Sequence, residues 1–357
     1  MTTPSGDASD YDYPLPEDRI RLLPPKIREE SRLALVPRRP SPDRTLSFAR
    51  ISDLPGILKP DDRLVVNDSR VVPARVRART PRGREVEILV LGPFEEGSPL
   101  RVRFLGKGLG KETRLSLFSG RGEIREAVYD ETQGCFVGEY RGEVSLVREL
   151  EAEGEMPLPP YIARKRRADA SDRERYQTVY ARRPGSVAAP TAGLHLGEDL
   201  LSHLETAGIG VSAVTLHVGL GTFRPLSEGP LEAHRMHSEW YEVPERTAKE
   251  IAGTRERGGR VVAVGTTVLR TLESSRDRSG AAPRIRAGSG WTDLFIRPGH
   301  RFGPVDGLLT NFHTPRSTLL VLIDAFMGGD GRWREVYGWA LSEGFFFLSY
   351  GDAMLIL

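Results

Sequence analysis

The chain has a single cysteine, Cys135, among 357 residues. That excludes an internal disulfide and every metal site built from several thiolates. No apolar run reaches the roughly 20 residues that a helix needs to cross a bilayer. The opening stretch, Met1-Thr-Thr-Pro-Ser-Gly-Asp-Ala-Ser-Asp10, has neither the basic start nor the apolar core of a signal peptide, and reads as a short flexible tail. A cytoplasmic protein is the expectation from these absences. Neither sign of charge is in large excess: the net charge is +2, and the basic residues are almost all arginine. Net charge speaks to association rather than fold, so local clusters are more informative than the total. Two nucleotide-binding signatures, GxGxxG and GxxxxGK[ST], are missing, which leaves neither a dinucleotide fold nor a nucleoside triphosphatase supported.

What is present divides the chain. With 39% hydrophobic residues, it has enough apolar material for a substantial core and length for two or three domains. Ser31–Val36 reads as a strand, Phe48–Leu58 as a short amphipathic piece. From residue 61 to 153, short alternating runs recur between turn signals: Arg63–Val66, Val71–Ala78, Val86–Leu91, Leu100–Leu105, Thr113–Leu117, Glu123–Tyr129 and Phe136–Tyr140. Such spacing predicts a small antiparallel β-barrel or sandwich. A helical pattern follows at about Val144–Ala152. Beyond 154, strand-like runs (Val211–Val218, Arg260–Val264, Thr318–Ile323) alternate with helical stretches (Gly197–Ala207, Glu245–Arg257, Val268–Arg276, Arg332–Leu341). That alternation predicts a mixed α/β domain. Met156-Pro-Leu-Pro-Pro-Tyr161 is a rigid, extended link between the two.

All seven histidines lie between positions 195 and 313. Histidine is the side chain best suited to proton transfer near neutral pH. Four segments combine histidines with small residues that let backbone approach a ligand: Ser186–His195, Thr215–Phe223, His234–Tyr241 and Thr310–Leu319. Taken singly, each histidine also fits a satisfied structural residue. His234 and His237 are spaced to be two metal ligands on one helical face, but no HExxH or paired cysteines complete a set, so no metal is expected. Val261-Val-Ala-Val-Gly-Thr-Thr-Val-Leu-Arg270 reads as strand, tight turn and helix. Thr266 or Thr267 is placed to cap that helix, and its free N–H groups suit an anion. Arg70, Arg75, Arg77, Arg79, Arg82 and Arg84 fall in a stretch with no acidic residue. Arg75, Arg77 and Arg79 alternate and so share one strand face, while Arg164-Lys-Arg-Arg167 adds a second basic cluster. Such faces suit phosphates, or simply solvent.

Read together, these motifs resemble the S-adenosylmethionine:tRNA ribosyltransferase-isomerase family of queuosine biosynthesis. The resemblance runs from about Tyr11 to Leu357. It is densest in Leu64-Val-Val-Asn-Asp-Ser-Arg-Val-Val-Pro-Ala-Arg75, Pro157-Leu-Pro-Pro-Tyr-Ile162, Arg175-Tyr-Gln-Thr-Val-Tyr-Ala181, the four histidine segments, Asp306-Gly-Leu-Leu-Thr-Asn-Phe-His313 and Ser349-Tyr-Gly-Asp-Ala-Met354. It implies a larger mixed α/β, barrel-like domain made of residues 1–60 and 154–357, with a small antiparallel β-barrel of residues 61–153 inserted between them. It implies a reaction in which S-adenosylmethionine donates its ribosyl group to 7-aminomethyl-7-deazaguanine in the tRNA anticodon, giving epoxyqueuosine-tRNA, adenine and methionine. A base removes a proton beside the sulfonium, adenine leaves, and the substrate amine attacks the opened ribose. No cofactor beyond the donor is needed, and no membrane is involved.

On this resemblance His195, His217, His237 and His313 are candidates for proton transfer, with Glu239 and Asp324 as orienting carboxylates. Thr191, Gly193, Gly219, Gly221, Thr222, Gly265, Thr266 and Thr267 are the expected donor-binding residues. Arg75, Arg77, Arg79, Arg164, Arg166 and Arg167 are the expected tRNA contacts. The sequence departs from the family pattern at Leu196, Arg297, His300, Thr314, Phe346–Tyr350 and Phe104-Leu-Gly-Lys107. Those departures keep a second reading open, a same-fold ribosyltransferase acting on a free 7-deazaguanine nucleoside or another small amine. A third is a non-catalytic nucleic-acid-binding protein, against which the intact histidine segments argue.

Overall fold

The structure, a computed structural model, describes residues 6–40, 42, 45–95, 97–110, 114–219, 226–277 and 284–357. Its backbone is a nine-stranded mixed sheet, whose order from edge to edge is Gly288–Thr292, Glu239–Val243, Gly210–Leu216, Arg63–Asn67, Val261–Val264, Gly307–Asn311, Ala353–Ile356, Arg32–Val36 and Ser47–Arg50. Four neighbouring strands, from Gly210–Leu216 to Gly307–Asn311, run parallel. Parallel strands are buried on both faces and read as unbroken apolar runs. Here Val65, Ala263 and Leu308 point into one core with Val268, Leu269, Leu272 and Leu320. Their neighbours Leu64, Val66, Val262, Val264 and Leu309 point into the other, with Leu54, Leu200 and Leu204.

That double burial corrects two expectations. The pattern of Arg63–Val66 places it with the barrel segment, but Arg63–Asn67 lies mid-sheet between Gly210–Leu216 and Val261–Val264. Thr318–Ile323, expected as a strand, is the start of the helix Thr318–Phe326, capped by the Ser317 hydroxyl accepting from the Leu320 N–H. All but Leu319 of its nine residues are buried. A helix buried all round has no polar face to reveal a 3.6-residue period, so a short run of this kind is ambiguous in sequence.

A closed six-stranded barrel follows, in the order Cys135–Gly142, Leu100–Gly106, Glu85–Gly92, Arg75–Arg79, Leu115–Leu117 and Gly122–Asp130. Alternate residues fill it: Val86, Ile88, Val90, Val102, Phe104, Leu115, Leu117, Ile124 and Tyr140. The expected strand start Thr113 lies outside the described residues. Pro73 lies in the gap that splits the expected Val71–Ala78 run. The earlier piece, Ser69–Val71, pairs in parallel with Arg183–Ser186 instead of joining the barrel. The chain then leaves through the helix Leu146–Glu153 and is pinned back to the barrel's first strand by Arg75–Glu155 backbone bonds. This return brings one rim of the barrel towards the end of the sheet that carries the histidine segments.

Candidate active site

Two cavities meet at Val218, which lines both. The smaller, about 360 Å³, lies over the ends of the parallel strands. Its walls are Ala188–Ala192, the Gly265–Thr267 turn, Thr310–Pro315, Leu348–Ser349, and Tyr161, Arg164 and Tyr176. The turn after Val261–Val264 needs a positive φ, which Gly265 adopts at 95°. Gly265 is the N-cap of the helix Thr266–Ser274, and no side chain caps it. The expected threonine cap is therefore absent, because the tight turn puts both threonines inside the helix. The first N–H groups of the helix are left for another acceptor. Two buried polar atoms on these walls also lack a hydrogen-bond partner among the described residues: Thr267 Oγ1 and Asn311 Oδ1. Buried polar groups are nearly always satisfied, so such a pair in one cavity marks a place for a polar ligand.

The larger cavity, about 710 Å³, is a cleft between the barrel rim and the sheet edge. Leu91–Glu95, Arg103 and Thr132, Gln133 and Cys135 face Gly185, His217–Gly219, Met236–Trp240 and Trp291. Several of its polar groups are already engaged. Glu239 is buried, salt-bridged to Arg270, and accepts the Gly219 N–H at 2.9 Å. Ser69 Oγ lies 2.8 Å from Nδ1 of His217, whose ring stacks on Trp240 at 5.1 Å between centroids. Cross-strand from Trp240, Trp291 is 63% exposed, the condition of a contact surface rather than a core residue.

The remaining candidates fall in several environments. His313 lines the smaller cavity, with its Nε2 3.0 Å from Thr310 Oγ1 and its backbone N–H donating to the Tyr337 hydroxyl. His195 lies behind that wall, its Nε2 3.1 Å from Asn311 Nδ2. Burial holds all three of the innermost histidines neutral, His195 and His217 pushed down to about 4 and His313 to about 3. His237 lines the larger cleft. Asp324 is instead bonded by the Tyr11 hydroxyl at 2.8 Å and the Gly331 N–H at 2.9 Å, which ties the N-terminal segment to the helix Thr318–Phe326. Neither His195 nor Asp324 lines either cavity among the described residues.

Of the expected donor-binding residues, Thr191, Gly265, Thr266 and Thr267 line the smaller cavity and Gly219 the larger. Gly193 packs under Tyr180, whose hydroxyl a Cβ there would meet at 2.0 Å. Gly221 and Thr222 lie outside the described residues. No group of three or more metal-ligating side chains occurs among the described residues. The expected basic stripe is more heterogeneous than its sequence. Arg75, Arg77 and Arg79 do share the outer face of one barrel strand. The adjacent strand supplies acids, however, so that Arg75 pairs with Glu87 and Arg77 with Glu85. Arg166 is committed to a bidentate pair with buried Asp172, both bonds 2.7 Å. Arg167 is exposed, and Arg164 opens onto the smaller cavity. Sequence reasoning missed Asn311, Arg270, Trp240 and Trp291; the first three lie in the Thr310–Leu319, Val261–Arg270 and His234–Tyr241 segments, whereas Trp291 had no signal.

Comparison with known proteins fixes the class. The queuosine biosynthesis protein family model matches residues 8–356, and the chain belongs to that family. It is 50% identical to the S-adenosylmethionine:tRNA ribosyltransferase-isomerase of Anaeromyxobacter dehalogenans, over 98% of this chain and 99% of that one. The enzyme of the same name from Thermus thermophilus is 48% identical, over 97% and 98%. The crystal structure of S-adenosylmethionine tRNA ribosyltransferase from Thermotoga maritima superposes with a TM-score of 0.54 at 31% identity, covering 98% of this chain and 100% of that chain.

Proposed function

We propose that the chain transfers and isomerises the ribosyl group of S-adenosylmethionine onto 7-aminomethyl-7-deazaguanine in tRNA, releasing adenine and methionine. The observation that supports this reading best is the pair of cavities that meet at Val218, in a chain whose full-length relatives carry that name. The smaller cavity takes the donor. Its uncapped helix N-terminus and Arg164 suit the methionyl carboxylate, and Asn311 Oδ1 and Thr267 Oγ1 suit the N–H groups of adenine or the ammonium. The larger cleft takes the modified base, with the barrel rim against the anticodon loop. The ribose then spans the junction, which brings its carbon skeleton to the incoming amine.

His313 is the histidine nearest to such a donor by its place in the cavity wall, and His217 and His237 line the acceptor cleft. No observation favours a small-molecule acceptor over tRNA. Incubation of the full chain with S-adenosylmethionine and tRNA carrying the aminomethyl base, followed by mass analysis, tests the reading. Adenine release with epoxyqueuosine in the tRNA is the expected result. Intact donor and unchanged tRNA would overturn it.

A further inference from the structure

His217 is held by close neighbours. Gly185 lies so near that a Cβ there would come within 2.4 Å of the ring, and Trp240 stacks on the ring. Along its Nδ1 edge runs a short chain of hydroxyls. Ser69 Oγ is 2.8 Å from Nδ1 and 2.6 Å from Ser186 Oγ, and Ser186 Oγ accepts the Val218 N–H at 2.9 Å. Both serines are fully buried.

Counting hydrogens along this chain decides which way it runs. Only one of the two serines can donate in the bond between them. If Ser69 donated to Ser186, the Ser186 hydrogen would have no acceptor among the described residues in a fully buried place, a costly arrangement. If Ser186 donates to Ser69, the Ser69 hydrogen goes to Nδ1 and every group is satisfied. Nδ1 then holds a lone pair, and the ring proton sits on Nε2, the nitrogen left for the cleft.

We propose that Ser186 and Ser69 fix His217 with its proton on Nε2, so that it donates a hydrogen bond into the acceptor cleft and does not act as the base. Burial opposes the imidazolium form, with Arg183 adding to that effect and Glu242 opposing it; these are the charged groups that act on the ring. A neutral imidazole that donates is able to hold a carbonyl oxygen or ring nitrogen of the seated base, or to polarise it. Ser69 and Ser186 are positioning residues, acting through the ring. The catalytic consequence rests on the cleft's being the acceptor site, whereas the position of the proton does not.

Two measurements separate these points. In two-bond proton–nitrogen spectra of the uniformly labelled full chain at neutral pH, His217 is assigned by its disappearance in His217→Gln. The expected signature is that of the Nε2–H form, becoming mixed in Ser69→Ala and restored in Ser69→Thr. An Nδ1–H or imidazolium signature in the native chain overturns the proposal, whether or not the enzyme reading holds. In turnover, glutamine keeps an N–H donor near the Nε2 position but cannot serve as a base. His217→Gln is therefore expected within about tenfold of the native rate, with His217→Ala reduced about 10²-fold or more, as for loss of one preorganised donor. Equal loss in both variants, or loss in neither, overturns the donor role.

Discussion

The two cavities that meet at Val218 are built on opposite terms. The larger cleft is largely paired: its buried acid is bonded to Arg270, Nδ1 of His217 to Ser69, and Arg183 at its side to Glu242. The smaller is left open, with Thr267 and Asn311 each presenting a buried atom without a partner among the described residues. No residue described in the larger cleft has such an atom. An unsatisfied buried group destabilises the free protein and is satisfied on binding, which favours a small ligand with matching polar atoms. A preassembled surface with an exposed aromatic suits a large partner that brings its own shape. The contrast supports the proposed placement of the donor in one and the nucleic acid in the other.

Asn311→Ala should break the contrast most sharply on the donor side. It removes the open acceptor and also strips His195 Nε2 and the Leu348 carbonyl of their shared donor group. Donor affinity should fall about 10²-fold, the upper range for a buried hydrogen bond left unmade, while tRNA affinity stays as it was. Calorimetric titration with S-adenosylmethionine that gives a native-like value would remove Asn311 from the donor site.

Trp291→Ala is the counterpart on the acceptor side. Stacking of one unpaired base on an exposed aromatic contributes roughly 1–3 kcal/mol, so tRNA affinity should fall about tenfold, with donor affinity unchanged. Trp291→Phe should recover most of the loss. A filter-binding assay in which alanine and phenylalanine weaken binding equally would show that the indole is not a stacking surface.

The difference between the cavities also explains what the sequence could reveal. Donor-side residues come from the ends of consecutive strands and the loops after them, so short motifs such as Gly265–Thr267 and Thr310–His313 point to it directly. The acceptor cleft is assembled from the barrel rim, two edge strands and a parallel pair that joins Ser69 to Ser186 across 117 positions. No local pattern records such contacts. The same limit misread the arginine stripe: Arg75 and Arg77 look free in sequence because Glu87 and Glu85 reach them only across the hairpin. Alternation within the barrel strands was legible, because one face of each is wet. Arg63–Asn67 was misplaced because a fully buried strand has no alternation that would tell its sheet from another.

The histidines in and behind the two cavities share one pH liability. Three histidines are held neutral, His195 and His217 at about 4 and His313 at about 3, against about 6.5 in the unfolded chain. Below that unfolded value the unfolded state binds more protons than the folded one, so stability falls as pH falls and is regained as pH rises through 6.5. Between pH 7 and 5.5 each fully buried histidine should cost on the order of 1 kcal/mol, and His217, reachable from the cleft, somewhat less. Urea unfolding at the two pH values should show this loss, and His195→Gln should lessen it by about one histidine's share. An equal loss in native and variant chains would mean that His195 is not the neutral buried group described here.

The smallest effect concerns the barrel arginines. Three free cations on a phosphate track would each add close to one to the slope of log affinity against log salt, so replacing Arg75, Arg77 and Arg79 by alanine would flatten it by about three. Arg75 and Arg77 are held by Glu87 and Glu85, and binding a phosphate would set that carboxylate loose beside it. Arg79 makes no ion pair among the described residues and is the one side chain of the three ready to meet a phosphate. The triple variant should therefore flatten the slope by only about one, and Arg79→Ala alone should reproduce most of that. Donor binding, on the other side of Val218, should not change. A flattening by about three would show that the cross-strand pairs open on binding and that the outer barrel face is a full tRNA track. No flattening at all would place the phosphate backbone elsewhere, with the exposed Arg164, which lines the smaller cavity, and the exposed Arg167 next in line.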